Sequence, residues 1–427
     1  MNKKVLALLM TAAIGTGLGA TGVAAEGTTL TFLVGDTQMQ EWFTQTFPQY
    51  ISGDNEDGIK VEVEYQAEAA NVLQVKAAAE EIPDMMSLGL PQQMIDEGYF
   101  YNLSDESIWD DLYPSIKDQT VDVKSGNNYF APLGSGAMGL FYNKDMFDEL
   151  GLTPAATWDE FVANLEAIKA AYPDVEPFYM GGADSYMFGH LNEWSVMGDA
   201  KVKLGYADYE SALAANDLEK LGWNTEEDGI LATFYDDMIE LQEKGLINSN
   251  VVTATNENQL EMFATGKVAV ISNGLWAVNS ILNYNPDATE FVGFSAYPAF
   301  TDDMESMVGS TTEGYVTISS SCENLDAALK VLHDMFSPES IKSYAEFRGC
   351  IPTNPSVDAE WSFLKDSVND VLGTSKSGTF SNSLPGGFGG DDNGRLVQNI
   401  FIGNYGSGVE YAEDYIQMWT QAYEASN

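Results

Sequence analysis

The chain has 427 residues, of which 65 are acidic and 19 basic, and its formal net charge is −46. A surface with this charge repels phosphate backbones and anionic lipid headgroups, which argues against nucleic acids and membrane surfaces as partners. It also favours a neutral ligand over an anionic one. The hydrophobic fraction of 44% is sufficient for a packed core, and the length indicates two domains rather than one.

The first 25 residues have the pattern of a signal peptide. Lys3 and Lys4 precede an apolar stretch, and Val23–Ala25 supply the small residues that a signal peptidase requires before Glu26. The stretch is too short and too rich in glycine to span a bilayer. No cysteine lies near the predicted cut, so we expect no lipid anchor there. The sequence therefore predicts an exported protein, in a periplasm or at the extracellular face.

The few cysteines and histidines restrict the possible chemistry. Cys322 and Cys350 could form a disulfide in an oxidising compartment, or both could be free thiols, and the sequence favours neither. They are too far apart in sequence for a thiol–disulfide enzyme motif. With only His190 and His333 besides, a zinc site is not expected. We therefore expect neither a metal nor a cofactor.

After residue 26, strand and helix signals alternate. The apolar, β-branched run Thr28–Val34 predicts a buried strand, and the alternation over Ile59–Tyr65 predicts a half-exposed one. A third strand is predicted at Met85–Leu88. Helices are predicted between them, the first around Trp42 and the second over Leu73–Glu80. This order predicts an α/β fold with parallel strands and helices on both faces.

The pattern restarts in the middle of the chain. Tyr129–Leu133 and Leu140–Tyr142 are predicted strands, and Trp158–Tyr172 has the apolar spacing of a helix face. Thr157 and Glu160 form a capping-box signature at its start. From Leu325 onward the chain is predicted to be mostly helical. Further short strands are predicted at Phe178–Met180, Val268–Ile271, Phe291–Phe294 and Tyr315–Ile318.

A series of short motifs spans most of the chain, each weak by itself. In order they are Gly35-Asp36, Ile59–Val63, Ile82–Asp84, Leu140–Asp145 with Phe147 and Gly151-Leu152, Thr157–Phe161, Phe263–Ala269, Asn273–Trp276, Asn324–Phe336, Ser337–Glu339 and Ile351–Thr353. Their order and spacing resemble those of the extracellular solute-binding proteins of ABC importers, in the carbohydrate-binding family that includes the maltose-binding protein. The Tyr-Asn-Lys-Asp segment followed by Thr-Trp-Asp-Glu is the most specific part.

The resemblance implies a periplasmic-binding-protein-like fold, with two α/β lobes joined by crossing strands and a sugar held in the cleft. Lobe one would comprise residues 27–134 and 297–338, and lobe two residues 135–296 and 339–427. The crossings would lie near Gly134–Ala137, near Phe294–Tyr297 and in the helices after Phe336. Such a protein is a receptor and not an enzyme. It would be a monomer that delivers its ligand to the permease subunits of an importer.

A neutral sugar requires aromatic rings for its C–H faces and fixed oxygen acceptors for its hydroxyls. Trp276 follows a predicted strand and matches a family position that stacks on the sugar. The alternative interpretation is a tryptophan buried in the core. Asp184 and Tyr186 occupy the stretch where the family places a carboxylate and an aromatic ring. Asp36 matches an acidic ligand contact. For both aspartates a helix cap is the competing interpretation.

Other candidate contacts follow the third strand, precede a later strand or lie in the glycine-rich turn: Gly89, Leu90, Gln92, Glu313 and Phe388. Ser135 and Gly136 lie at the first predicted crossing. The family position that matches Gly136 can be acidic, so that contact would be missing here.

Two stretches mimic known motifs. Gly134–Gly139 spells G-x-G-x-x-G, but a dinucleotide site requires a helix to begin within the motif, and here a strand is predicted. Asp391–Gly394 suggests calcium, but Ile402 stands where an EF-hand requires glutamate. We interpret the first as hinge or cleft lining and the second as a turn.

Two other functions remain open at this point. One is a secreted glycan hydrolase, since hydrolysis requires only a pair of carboxylates and acidic residues are abundant. No such pair, triad order or metal motif stands out in the sequence. The other is a receptor of the same fold for a peptide or a polyamine, because an acidic cleft would suit a cation.

Overall fold

The computed structural model describes residues 27–381 and 383–426, so the predicted signal peptide lies outside the described residues. The strands are β1 (Thr29–Val34), β2 (Lys60–Tyr65), β3 (Met85–Ser87), β4 (Ala131–Asn143), β5 (Glu176–Tyr179), β6 (Val268–Gly274), β7 (Val292–Ser295), β8 (Met307–Ile318), β9 (Ile351–Pro352) and β10 (Lys376–Thr379). Short 3₁₀ turns cover Ser107–Asp111, Leu275–Ala277 and Pro286–Glu290.

The helices pack on both sides of the strands. They are α1 (Thr37–Thr46), α2 (Pro48–Ser52), α3 (Ala69–Ala78), α4 (Gln92–Asp96), α5 (Pro114–Gln119), α6 (Lys144–Leu150), α7 (Trp158–Ala171), α8 (Tyr186–Trp194), α9 (Val196–Leu204), α10 (Tyr206–Ala214), α11 (Leu218–Leu221), α12 (Ile230–Glu243), α13 (Asn256–Ala264), α14 (Val278–Tyr284), α15 (Leu325–Met335), α16 (Pro338–Arg348), α17 (Lys365–Thr374), α18 (Gly390–Phe401) and α19 (Gly408–Ser426).

The first strands pair as predicted. β1 lies between β2 and β3 and is parallel to both. Its apolar side chains, including Phe32, are buried against Trp42 and Phe43 of α1, and the Phe32 and Phe43 rings meet edge to face at 5.3 Å. The parallel arrangement places the carboxyl ends of β1 and β3 at one edge, where ligands of open α/β sheets bind.

β4 is a single strand of 13 residues, where two separate segments were predicted. It pairs antiparallel with β8 along one side and with β6 on the other. The glycines within it permit close neighbours: a β-carbon on Gly134 would collide with Cys350 Sγ, and one on Gly139 with the Ser295 carbonyl oxygen. The glycines that suggested a break in the sequence are therefore required by packing within a continuous strand.

β8 also extends further than predicted, over 12 residues. Its start pairs with β10, and its end pairs antiparallel with β3. β8 therefore connects the strands β1 to β3 with the strands β4, β6 and β10. Near the crossing predicted at Phe294–Tyr297, Tyr297 bonds to Met307 in both directions and Phe300 stacks on Trp158 at 4.6 Å.

Helix α16 packs against α1, although residues from 339 were predicted in lobe two. The Trp42 and Tyr344 rings meet at 4.9 Å, and Trp42 Nε1 donates to Ser343 Oγ at 3.2 Å. β9 then pairs with β4, and α17 is the first following helix to pack on β7.

Three further predictions have outcomes in the fold. Thr157 Oγ1 accepts from Glu160 N at 3.3 Å, so the N-cap is confirmed, while the Glu160 carboxylate accepts from Ala156 N instead of closing a capping box. Asp391–Gly394 was predicted as a turn, which is wrong, because these residues form the first turn of α18. Cys322 and Cys350 are both free thiols.

Candidate functional site

A cavity of about 570 Å³ opens beside the middle of β8. Its lining comes from β8, from α4 and from segments at the ends of β3, α5, β6 and β10. The lining residues are Leu88, Gly89, Leu90, Gln92, Ile95, Gln119, Thr120, Val121, Asp122, Val123, Tyr129, Phe130, Trp276, Thr311, Thr312, Glu313, Tyr315, Thr379 and Phe380. The predicted residues Leu90, Gln92, Trp276 and Glu313 are among them.

Trp276 lies in the 3₁₀ turn directly after β6, and 43% of the residue is exposed. Its indole ring lies over Gly274, and a β-carbon on Gly274 would collide with the six-membered ring. One side of the indole is thus supported by backbone while the residue lines the cavity. A supported, half-exposed aromatic ring is a suitable platform for a flat apolar surface of a ligand.

Glu313 is held by Arg348 of α16. The guanidinium donates to Glu313 Oε2 from Nε at 3.2 Å and from Nη2 at 3.0 Å, and its Nη1 lies 3.1 Å from Asp36 Oδ2. Asp36 also caps α1, because its Oδ1 accepts from Gln38 N at 2.9 Å. The cap interpretation of Asp36 is therefore confirmed, and Asp36 is not among the residues that line the cavity.

Gln92 and Asp122 form a polar pair on the cavity lining. Gln92 Nε2 donates to Asp122 Oδ1 at 2.9 Å, and Asp122 Oδ2 accepts from both the backbone N and the hydroxyl of Ser125. These bonds fix the orientation of the Asp122 carboxylate, which the sequence did not indicate as a site residue. Among the described residues that line the cavity, none is Lys, Arg or His.

Tyr186 and Asp184 are not among the residues that line the cavity. Tyr186 contacts the His190 ring at 5.4 Å, and His190 lies 6.1 Å from Trp276. Asp184 Oδ2 accepts from Asn256 N, the first residue of α13, at 2.7 Å, while Thr255 is the N-cap of that helix. Burial, followed by the Asp184 charge, raises the pKa of Tyr186. The phenol therefore stays neutral at physiological pH.

His190 is surrounded by rings, with Phe380 at 5.1 Å as a third neighbour. Burial lowers its pKa to about 4, and its Nδ1 is buried without a hydrogen-bond partner. The imidazole is therefore uncharged at neutral pH and behaves as part of an aromatic layer. This layer supports the wall of the cavity that Trp276 and Phe380 form.

Phe388 does not reach the cavity. It is fully buried, and its ring meets Tyr415 at 5.1 Å and Trp419 at 5.2 Å. Phe388, predicted as a ligand contact, therefore packs against α19 as part of the core.

The G-x-G-x-x-G stretch lies within β4, and no helix begins in it. A β-carbon on Gly136 would collide with Thr311 Oγ1 and lie 3.3 Å from Glu313 Oε1, so this glycine provides space beside the cavity. Ser135 is buried, and its hydroxyl donates to the Thr311 carbonyl at 2.8 Å. In the described part of the chain, no group of three or more His, Cys, Asp or Glu side chains is arranged to hold a metal.

Comparison with known sequences gives the family. Residues 51–369 match the profile of the bacterial extracellular solute-binding proteins. The chain belongs to this family.

Named relatives of this solute-binding protein include sugar receptors. It is 26% identical over 303 residues to the multiple sugar-binding protein of Streptococcus mutans, covering 68% of this chain and 67% of that protein. It is 25% identical over 235 residues to the melibiose/raffinose/stachyose-binding protein MelE of Bacillus subtilis, covering 54% of this chain and 51% of MelE. The match thus spans between half and two thirds of these relatives.

The fold of this solute-binding protein matches solved structures over nearly its whole length. A binding protein from Bacillus subtilis, crystallised in an open conformation, aligns with a TM-score of 0.76 at 20% identity, covering 94% of this chain and 98% of that one. The predicted two-lobed α/β fold is therefore confirmed. None of the helices within residues 27–381 and 383–426 is long and apolar enough to cross a membrane.

Several site residues of this solute-binding protein were missed by sequence analysis. Phe130 and Tyr315 form an edge-to-face pair at 5.2 Å on the cavity wall, and Phe380 follows β10. Phe130 and Tyr315 lie inside or beside predicted strands, where aromatic residues usually indicate core. Only the pairing of β4 with β8 brings them together, and this pairing joins residues far apart in sequence.

Proposed function

We propose that this protein is the sugar-capturing receptor of an ABC importer and binds a neutral oligosaccharide in the cavity beside Trp276. The observation that carries the proposal is the combination of a supported, exposed indole with the fixed carboxylates of Glu313 and Asp122 in one cavity. The indole offers a face for sugar C–H groups, and the carboxylates offer strong acceptors for hydroxyls. The sugar-binding relatives support the same ligand class.

The charge of the cavity supports a neutral ligand. The charged side chains on its lining are Asp122 and Glu313, and the nearby Arg348 is already bonded to Glu313 and Asp36. An anionic sugar would therefore find no cation free to pair with it and would be repelled by both carboxylates. We expect uronic acids and phosphorylated sugars to be excluded.

The volume supports more than one sugar ring. At about 570 Å³ the cavity lies in the middle of the range of 300–1,000 Å³ that is typical of ligand sites. Melibiose, raffinose and stachyose, after which the relative MelE is named, form a size series with which to begin.

The mechanism that we propose is closure of two lobes around the sugar. The packing of β8 and α16 leads us to revise the lobe boundaries, with lobe one near residues 27–134 and 315–353 and lobe two near 137–310 and 365–426. The exported monomer would then present its closed form to permease subunits. X-ray scattering should show a smaller radius of gyration at saturating sugar, and an unchanged radius would contradict hinge closure.

A thermal-shift screen tests the proposed function. The panel comprises neutral oligosaccharides, uronic acids, peptides and polyamines, with the reaction mixture analysed chromatographically for cleavage. A ligand that binds only the folded form raises the melting temperature as its concentration exceeds Kd. We expect stabilisation by neutral oligosaccharides that are recovered intact. Stabilisation by polyamines or peptides alone, or cleavage of the sugar, would contradict the proposal and support a different receptor or a hydrolase.

Replacing Gly274 by Ala tests the support of the indole. The new methyl group would occupy the place of the Trp276 six-membered ring, so the indole must move although no aromatic residue is lost. We expect sugar affinity to fall by about tenfold or more, as for loss of an aromatic contact, measured by isothermal titration calorimetry. Gly373→Ala is the control, because a β-carbon there meets open space. Equal affinity of both variants would show that the indole position is unimportant.

Replacing Arg348 by Met tests the fixed carboxylate. Glu313 would lose both hydrogen bonds, and two partly buried carboxylates would be left without their cation. We expect sugar affinity to fall by about tenfold, as for loss of a charge-assisted pair. Lys342→Met, which breaks an exposed pair with Glu346 on the same helix, should leave affinity unchanged. A calorimetric titration that finds the two variants alike would refute this role for Arg348.

A further inference from the structure

The segment of residues 376–381 forms one wall of the cavity and is held from behind by helices α8 to α10. β10 pairs with β8 up to Thr379, and the chain then continues without regular structure. Thr379 and Phe380 line the cavity, and the Phe380 ring packs on Trp194 of α8 at 5.0 Å. We call residues 376–381 the wall segment.

Two charged side chains bind the backbone of the wall segment. Lys201 Nζ of α9 donates to the Thr379 carbonyl at 2.8 Å. Glu193 Oε1 of α8 accepts from both the backbone N and the hydroxyl of Ser381, each at 2.6 Å. Lys201 and Glu193 also form an ion pair with each other, and Tyr209 OH lies 2.6 Å from Ser381 Oγ. Each residue next to Phe380 is thus fixed by a charged group.

The ion pair is buried. The exposed fraction of the side chain is 2% for Lys201 and 5% for Glu193, and the ammonium lies 4.7 Å from the centre of the Trp194 ring. Removing two charges from water is costly, and apolar side chains of similar volume often stabilise a core as well or better. Stability alone therefore does not explain the pair. Apolar side chains could not make the bonds to Thr379 and Ser381.

We propose that Glu193 and Lys201 are positioning residues that hold Thr379 and Phe380 at the sugar cavity and thereby set sugar affinity. The inference about affinity rests on the proposed function, while the inference about position does not. The pair lies behind the wall segment and is absent from the cavity lining, so its effect on a ligand must pass through residues 379–381. Sequence analysis could not identify it, because its partners are more than 170 positions away in the chain.

The experiment compares three variants. Lys201→Met leaves Glu193 buried without its cation, and Glu193→Leu with Lys201→Met replaces the pair by apolar side chains. Lys203→Met, which breaks a partly exposed pair with Asp199 on the same helix, is the control. For each we would measure the melting temperature, amide hydrogen exchange in the wall segment without ligand, and calorimetric affinity for the neutral oligosaccharide found by screening.

We expect the single Lys201 variant to melt at a lower temperature and the double variant to regain the wild-type value. The double variant should still exchange its wall-segment amides at least tenfold faster and bind sugar about tenfold more weakly. A double variant with wild-type exchange and affinity would overturn the proposal, because the pair would then be only structural.

Two further measurements cover the cases in which the double variant does not fold or the wild-type protein binds no oligosaccharide. If the double variant fails to fold, Ser381→Ala removes the hydroxyl that bonds to Glu193 and Tyr209 and should still accelerate exchange in the wall segment, while unchanged exchange would overturn the proposal. If the wild-type protein binds no oligosaccharide, the proposed function fails, yet the exchange measurement on ligand-free protein still decides whether the pair positions the wall.

Discussion

Replacing Trp276 by Ala is expected to weaken oligosaccharide binding by at least about thirtyfold, equivalent to about 2 kcal/mol, as at a binding hot spot. The ring lines the cavity, lies over Gly274 and is 43% exposed, so its removal deletes a ligand platform but little of the protein core. The melting temperature of the ligand-free protein should therefore change little. Calorimetric titration measures the affinity.

The matched control is Tyr113→Ala. Tyr113 is also an aromatic residue with 43% exposure, but it is not among the residues that line the cavity. The Tyr113→Ala substitution should lower sugar affinity by less than twofold, as for an ordinary surface change. Trp276→Phe should retain part of the binding, since a smaller ring keeps an apolar face. If Trp276→Ala binds sugar as well as Tyr113→Ala does, the stacking role is refuted.

Replacing Asp237 by Asn is expected to stabilise the protein at neutral pH. Asp237 lies on α12 with Oδ2 buried and without a hydrogen-bond partner. Burial, followed by the charges of Glu240, Asp236 and Asp159, raises the pKa of this carboxyl to about 8. The folded protein therefore holds a proton at pH 7 that the unfolded chain releases, which favours unfolding. Removing this cost should raise the free energy of unfolding by on the order of 2–4 kcal/mol at pH 7.

The pH dependence gives the sign of this effect. Because the folded pKa lies above the ordinary value of 3.8, the Asp237 contribution to stability falls as pH rises from about 4 to about 8. The gain in melting temperature of Asp237→Asn over wild type should grow through this window and then level off. Asp236→Asn, an exposed neighbour on the same helix, should give a much smaller gain. A gain independent of pH would contradict the buried, protonated carboxyl.

Local patterns predicted the elements well but not how far the central strands extend. The alternation and apolar runs of β1, β2 and β3 are signals within a few residues, and their parallel pairing was predicted from the order of elements. β4 was predicted as two segments separated by a stretch that contains Gly134 and Gly136, and only the last residues of β8, Tyr315–Ile318, were predicted. Each glycine faces a close neighbour, and such contacts become visible only when distant segments meet.

The residues of the candidate site also include some that the local sequence predicted and some that it could not. Trp276 and Gln92 were identified because they follow strand ends, a signal that lies in the adjacent sequence. Asp36 and Asp184 also follow strands, yet the Asp36 carboxylate caps α1 and the Asp184 carboxylate accepts from Asn256 N at the start of α13. The sequence alone could not distinguish such contacts from ligand contacts. Phe380 was missed, and its place depends on Glu193 and Lys201, which are distant in sequence.

A crystal structure with the tightest-binding neutral oligosaccharide is the most direct test of the central claim. We predict an intact sugar with one ring stacked on Trp276 and hydroxyls within hydrogen-bonding distance of Glu313 or Asp122. A sugar bound elsewhere, or one that leaves the indole uncovered in a saturated crystal, would contradict the account.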